Sequence, residues 1–189
     1  MKRLYYYITG TVILFGMVIF STSVGAICGS NKRIKATNAK ARELFVTLTA
    51  RYTKVSEFNN SLEGLDVTAT ELVTTINNDI VRFEFSKNLV QTVHSGLKHS
   101  INIDTNFLIL VNYLKDSATA YTNLTLPADF YIEFDALTPT IHTQIAAYNQ
   151  SATDFNHHLT VFPNSLYVGQ RGSFTLLGIE NYPLNLPQV

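Results

Sequence analysis

Five histidines carry most of the chemical potential of this 189-residue chain: His94, His99, His142, His157 and His158. An imidazole can hold a metal or move a proton, but ligands on one helix share a face only at spacings of three or four. His94 and His99 are five apart, and the adjacent pair His157 and His158 would point about 100° apart on a helix. Asp154 can face His157 or His158, although an exposed helical ion pair is the plainer reading. Glu57, Glu63, Glu71, Glu84 and Glu133 lack the paired-Glu and Glu-x-x-His pattern of a di-iron bundle. The single cysteine, Cys28, can make neither an internal disulfide nor a cysteine zinc cluster. No Gly-rich phosphate loop, G-x-S-x-G elbow or Cys-His pairing is present. Asn59, Asn123 and Asn149 head N-x-S/T sequons, which a chain rich in Asn and Thr produces by chance. These residue types predict no catalytic residue, no metal and no cofactor.

Composition narrows the class further. Lys and Arg number 14 against 14 Asp and Glu, which argues against a nucleic-acid partner. Apolar residues make up 46%, too many for a disordered chain. All five prolines lie in the last third, and only Gly64 and Gly96 fall between Gly29 and Gly169. Both residue types break helices, so residues 30 to 126 have room for long ones.

Tyr5 to Ile27 is a run of 23 residues without a charge. As a helix it is about 35 Å long, enough for a bilayer core of about 30 Å. Tyr5, Tyr6 and Tyr7 suit the membrane interface. The run is read as a transmembrane anchor. Two other readings are a cleaved signal peptide, with Val24-Gly25-Ala26 as the small-residue site, and a lipoprotein site at Gly25-Ala26-Ile27-Cys28, which lacks the usual leucine and small residue. Lys2 and Arg3 precede the run, while Lys32, Arg33, Lys35, Lys40 and Arg42 follow it. That excess favours a cytoplasmic soluble domain, unless these charges are only the solvated face of a helix.

Behind the anchor the apolar spacing is helical. Leu44, Leu48, Tyr52, Val55, Phe58 and Leu62 form one stripe, which Gly64 should stop. Thr68-Ala69-Thr70-Glu71 reads as a capping box opening a second helix. Its stripe is Val73, Ile76, Ile80, Phe83, Val90 and Leu97, and Gly96 lies near its end. A third helix is expected from Asp104 to Tyr121, through Phe107, Leu110 and Leu114, with Asn123-Leu124-Thr125 as the loop after it. Thr125 and Pro127 look like the start of a fourth. There, Phe130, Phe134, Leu137, Ile141, Ile145, Tyr148, Ala152, Phe155, Leu159 and Phe162 recur at three and four, close to a heptad seam. Pro139 should kink or break this helix, and Phe162-Pro163 should end it. Beyond lie turns, with Phe174, Leu176, Leu177 and Ile179 able to fold back onto the bundle or onto a partner.

The stretch Tyr148 to Leu166, YNQSATDFNHHLTVFPNSL, resembles the C-terminal signature of the LemA family. The matching residues are Tyr148, Asn149, Phe155, Asn156, Phe162, Pro163 and Leu166, with Phe-Asn where a second Tyr-Asn is usual. Leu44 to Leu62 is similar to the family's first long helix, and Tyr121 to Leu137 to the segment entering its last. The family's Trp in the first helix is missing, with Phe45 nearby. The resemblance implies an antiparallel helical bundle behind an N-terminal membrane helix in a bacterial membrane protein, with no established enzymatic activity. On the residues alone, Tyr148, Phe155 and Phe162 line one face. Asn149 and Asn156, on the adjoining edge, either bond neighbouring helices and fix their register or are simply exposed.

The expected fold class is therefore all-α: an N-terminal transmembrane helix, then an antiparallel up-and-down bundle of three to four long helices. Residues 1–28 would be the anchor, 29–163 the bundle and 164–189 a tail that is mostly loop. The expected function is a non-enzymatic scaffold or interaction module at the bacterial inner membrane. Its partners would be the bilayer through residues 5–27, further copies of itself and a membrane protein. A ligand-binding sensor bundle is the alternative, and a histidine-dependent metalloenzyme a third reading.

Overall fold

The computed structural model of the chain describes residues 2–87, 93–116 and 128–177. Among them are five α-helices and no strand: α1 (Lys2–Ser61), α2 (Val67–Lys87), α3 (Val93–Asp116), α4 (Ala128–Thr160) and α5 (Asn164–Val168). The all-α expectation holds. Contacts divide the chain into two units, Met1–Thr37 with Gln150–Thr175 and Asn38–Asn149 with Leu176–Val189. The divisions fall inside α1 and α4, after residues 37 and 149.

The N-terminal end of α1 is long and apolar enough to cross a membrane. Tyr5, Ile13, Phe15, Val18 and Phe20 are all exposed. Its hydroxyls turn back into their own helix: Thr11 Oγ1 donates to Tyr7 O at 2.9 Å, Thr22 Oγ1 to Val18 O at 2.9 Å, and Ser23 Oγ to Phe20 O at 2.8 Å. Such back-bonding removes the polar groups that hydrocarbon would otherwise penalise.

The second unit packs segments of α1, α2, α3 and α4. Tyr52 meets Phe83 at 5.1 Å between ring centroids, and Asn59 Nδ2 donates to Asn77 Oδ1 at 3.1 Å. Residue numbers rise on α1 as they fall on α2, so the two are antiparallel. Phe58 stacks edge-on against Phe107 at 5.5 Å, while Tyr52 Oη reaches Ser100 O at 3.1 Å, so α1 and α3 run parallel across the bundle. Arg51 contacts Phe134 and Thr138, and Phe107 meets Phe134, which brings α4 into the same core. The order is up-and-down. Leu44, Leu48, Val55, Ile76, Phe83, Ile103, Leu110, Ile141 and Ile145 are buried at its centre, each contributing roughly 1.5–3 kcal/mol by leaving water.

Several boundaries differ from the sequence reading. α1 ends at Ser61, and Gly64 takes φ 67°, as a stop there requires. The cap of α2 is Asp66, not Thr68: its Oδ1 accepts the Ala69 amide at 2.8 Å. A carboxylate two residues ahead of the threonine reaches the third helical amide and also suits the helix dipole. Gly96 does not close α2 but lies in the first turn of α3, eight residues before the expected start at Asp104. A Cβ there would come 2.6 Å from Phe45 Cε1 and 2.7 Å from Ser86 Oγ, so glycine admits those two side chains. α4 is assigned as helix straight through Pro139. Val90, Tyr121, Asn123, Thr125, Pro127 and Ile179 lie outside the described residues.

Candidate functional site

The motif residues of α4 separate into two groups. Tyr148 and Phe155 are buried, at 2% and 1% exposure. Phe162 does not continue their face: α4 ends at Thr160, and Phe162 is 76% exposed. Pro163 is half-buried after a cis peptide bond, and Leu166 in α5 is 69% exposed. Burial pushes the Tyr148 phenol above its ordinary value of 10.0.

Asn149 and Asn156 bond the tail, not a neighbouring helix. In the second unit, Asn149 Nδ2 donates to Leu177 O at 2.7 Å while the Leu177 amide donates to Asn149 Oδ1 at 2.8 Å. In the first, Asn156 Nδ2 donates to Phe174 O at 2.8 Å and receives the Phe174 amide on Oδ1 at 2.9 Å. A carboxamide has the donor and acceptor of a peptide group, so each asparagine satisfies both main-chain groups of one tail residue. The expected register role therefore falls on the tail, and the sign of it within residues 170–177 is the apolar set Phe174, Leu176 and Leu177.

In the first unit, Ala26, Phe155, Leu159 and Val168 form a small core, with Ile34, Tyr167 and Phe174 packed around it. Phe174 meets Phe155 at 5.2 Å between centroids. Polar side chains lock the same region. His158 Nδ1 accepts from Asn164 Nδ2 at 3.0 Å, which leaves its Nε2–H to donate to Ala26 O at 3.0 Å. Arg171 Nη1 donates to Ser30 Oγ at 2.8 Å and Asn31 Oδ1 at 2.7 Å. Thr22 Oγ1 and Tyr167 Oη share a hydrogen bond of 3.1 Å, and Thr37 Oγ1 donates to Ser151 O at 3.1 Å. Gly29 leaves room for the imidazole, since a Cβ would stand 3.1 Å from His158 Cε1. His158 is thus a structural residue of this unit, which its place beside His157 in the sequence does not disclose.

Sequence reasoning also passed over Arg51, which is fully buried in the second unit. Its Nε donates to Asp104 Oδ1 at 3.3 Å, and its Nη1 to Phe134 O and Thr138 Oγ1, each at 3.1 Å. The guanidinium carbon lies 3.5 Å from the centroid of the Phe134 ring, a cation–π contact. The available signal was a charge between Leu48 and Val55 on one apolar stripe, matched by Asp104 beside Ile103 and Phe107 on another.

The remaining titratable groups are scattered. His99 Nδ1 lies 3.1 Å from Asp79 Oδ1. His157 and Asp154 line a shallow cleft with Lys32, Arg33 and Ser151. Among the described residues no three His, Cys, Asp or Glu side chains converge as metal ligands, and Cys28 is exposed. No family model, curated protein or solved structure matches this chain.

Proposed function

We propose that this chain is a membrane-anchored helical bundle of LemA type, a non-enzymatic scaffold or interaction module at the bacterial inner membrane. One observation carries the reading. The charge-free run Tyr5–Ile27 keeps its large apolar side chains exposed, yet it belongs to the same helix that supplies Leu44, Leu48, Tyr52 and Val55 to a folded core. Surface of that size without a protein cover matches a bilayer rather than water. The interaction role draws support from α2, where Val81 and Phe85 are one turn apart and 68% and 74% exposed. Large apolar side chains paired in this way fit a docking surface, and a second copy is the partner expected.

Alkaline carbonate extraction of membranes containing the full chain tests the anchor; the protein should remain in the pellet, and recovery in the supernatant would sink it. A photo-crosslinking residue at Phe85 should give a dimer-sized adduct that a probe at exposed Lys98 does not. A protein that stays monomeric in detergent and gives no adduct at Phe85 would remove the scaffold role. The cytoplasmic orientation is read from a Cys28→Ser, Val46→Cys variant, whose thiol should react with an impermeant maleimide only after the cells are opened.

A further inference from the structure

We propose that the turn joining α4 to α5 is a second membrane contact, with Phe162 and Leu166 inserted at the headgroup–acyl boundary beside the last turns of the anchor. The proposal rests on the reading of Tyr5–Ile27 as a transmembrane helix.

The height of the turn is fixed by its contacts within the first unit. His158 bonds Ala26 O, Tyr167 bonds Thr22, and Leu159 and Val168 pack in the core that contains Ala26. Segment 158–168 therefore stands beside residues 22–26, the C-terminal end of the charge-free run. The next charges along α1 are Lys32 and Arg33, more than a helical turn farther on, where headgroups and water begin.

The polarity of the turn is the reverse of a water-facing loop. Three of its polar side chains are used internally: Asn164 on His158, Tyr167 on Thr22, and Thr160 Oγ1 on His157 O at 2.9 Å. The amides of Val161, Ser165, Leu166 and Gly169 donate to carbonyls of the same segment. The large side chains left outside are apolar: Val161, Phe162 and Leu166, with Val24 and Ile27 exposed on the adjacent anchor; among the small ones only Thr160 is exposed, its hydroxyl bonded to His157 O. A segment that bonds most of its polar groups internally and turns its bulky apolar side chains outward suits an interfacial environment, where headgroups and water meet the rest. The bilayer is the occupant this continuity selects. A second contact point of this kind would hold the first unit against the membrane surface and restrict rotation of the anchor.

The chain has no tryptophan, so an introduced indole reports without background. The full-length protein is reconstituted in vesicles of phosphatidylethanolamine and phosphatidylglycerol whose acyl chains carry bromine either near the headgroup or near the methyl end. Phe162→Trp and Leu166→Trp should show blue-shifted emission, quenched more by the shallow bromines than by the deep ones. Phe15→Trp, in the middle of the anchor, should show the opposite preference, and Val46→Trp should be insensitive to both. Quenching of Phe15→Trp with none of Phe162→Trp or Leu166→Trp overturns the interfacial contact and leaves the anchor standing. A blue shift at Phe162→Trp without bromine quenching also overturns it, and assigns the turn to a protein partner. If Phe15→Trp is not quenched either, the anchor itself fails and the proposal falls with it.

Discussion

A carboxamide that grips a peptide group cannot be replaced by its own acid. In Asn156→Asp the side chain keeps its size and still accepts the Phe174 amide, but it loses the donor to Phe174 O, and a carboxylate oxygen then faces that carbonyl oxygen. The tail at Phe174 should loosen by about 1–3 kcal/mol, the cost of an unmade buried hydrogen bond. Faster amide exchange at Phe174 and protease cleavage within residues 170–177 would register it; an unchanged exchange rate would show that the clamp contributes nothing. Arg51 offers a sharper test. Arg51→Met leaves the Asp104 carboxylate buried without its guanidinium and should cost about 3–5 kcal/mol, read from the denaturation midpoint. Adding Asp104→Leu should recover most of that loss, because removing both charges removes the desolvation penalty with the attraction. Tyr148 predicts a pH effect of definite sign. Its folded pKa lies above the unfolded value of 10.0, so the unfolded chain ionises first. The stabilisation is complete below that value and is lost as pH rises through the folded pKa. In an alkaline titration followed by phenolate absorbance, Tyr148→Phe should remove one phenol from the late-titrating fraction.

At the scale of elements, apolar spacing identified most helical faces but misplaced one joint. By spacing, the stripe through Ile76 and Phe83 extends to Leu97, yet Leu97 belongs to α3. Three-and-four spacing carries across a turn when the two helices bury neighbouring faces in one core, so periodicity alone does not locate the break. In the sequence Gly96 reads as an ending because glycine is a poor helix former. Its use here is steric, allowing Phe45 and Ser86 to approach α3. Gly96→Ala gains about 1 kcal/mol of helix propensity but should lose about 1–3 kcal/mol to overpacking. The variant should therefore melt lower than the parent, and a higher melting temperature would mean that the Phe45 ring simply moves aside. The capping of α2 shows a related competition. Thr68 and Glu71 have the spacing of a capping box, but Asp66 is closer to the turn set by Gly64 and takes the Ala69 amide first.

For the whole molecule, the anchor and the folded chain overlap. Thr22 and Ala26 belong to the charge-free run and also to the packing of the first unit. A truncation that begins at Ser21 keeps both partners of segment 158–168, whereas one that begins at Cys28 removes them. The shorter protein should be cleaved faster by protease between residues 161 and 175, and mass spectrometry of the fragments would locate the cuts. Equal resistance of the two would show that the contacts with Thr22 and Ala26 do not hold the turn. Charge and hydropathy set the expected limit of the anchor at residue 28, and they report the solvent a segment meets but not the side chains packed beside it.

Helix content, the apolar run and the buried faces of α1, α3 and α4 are local properties. They follow from residue spacing and from the placement of proline and glycine, so they were legible without coordinates. The partners of those faces are not local. Arg51 and Asp104 are 53 residues apart, and Asn149 meets Leu177 from 28 residues away. Periodicity shows that Asn149 and Asn156 share an edge, but an asparagine bonds a helix, a strand or water with the same atoms. That the tail covers this edge, and that Phe162 turns outward after α4 stops at Thr160, depends on how the chain closes on itself. Those contacts cost loop entropy and are stabilised only when both ends are already in place, which is why they leave no periodic trace in the sequence.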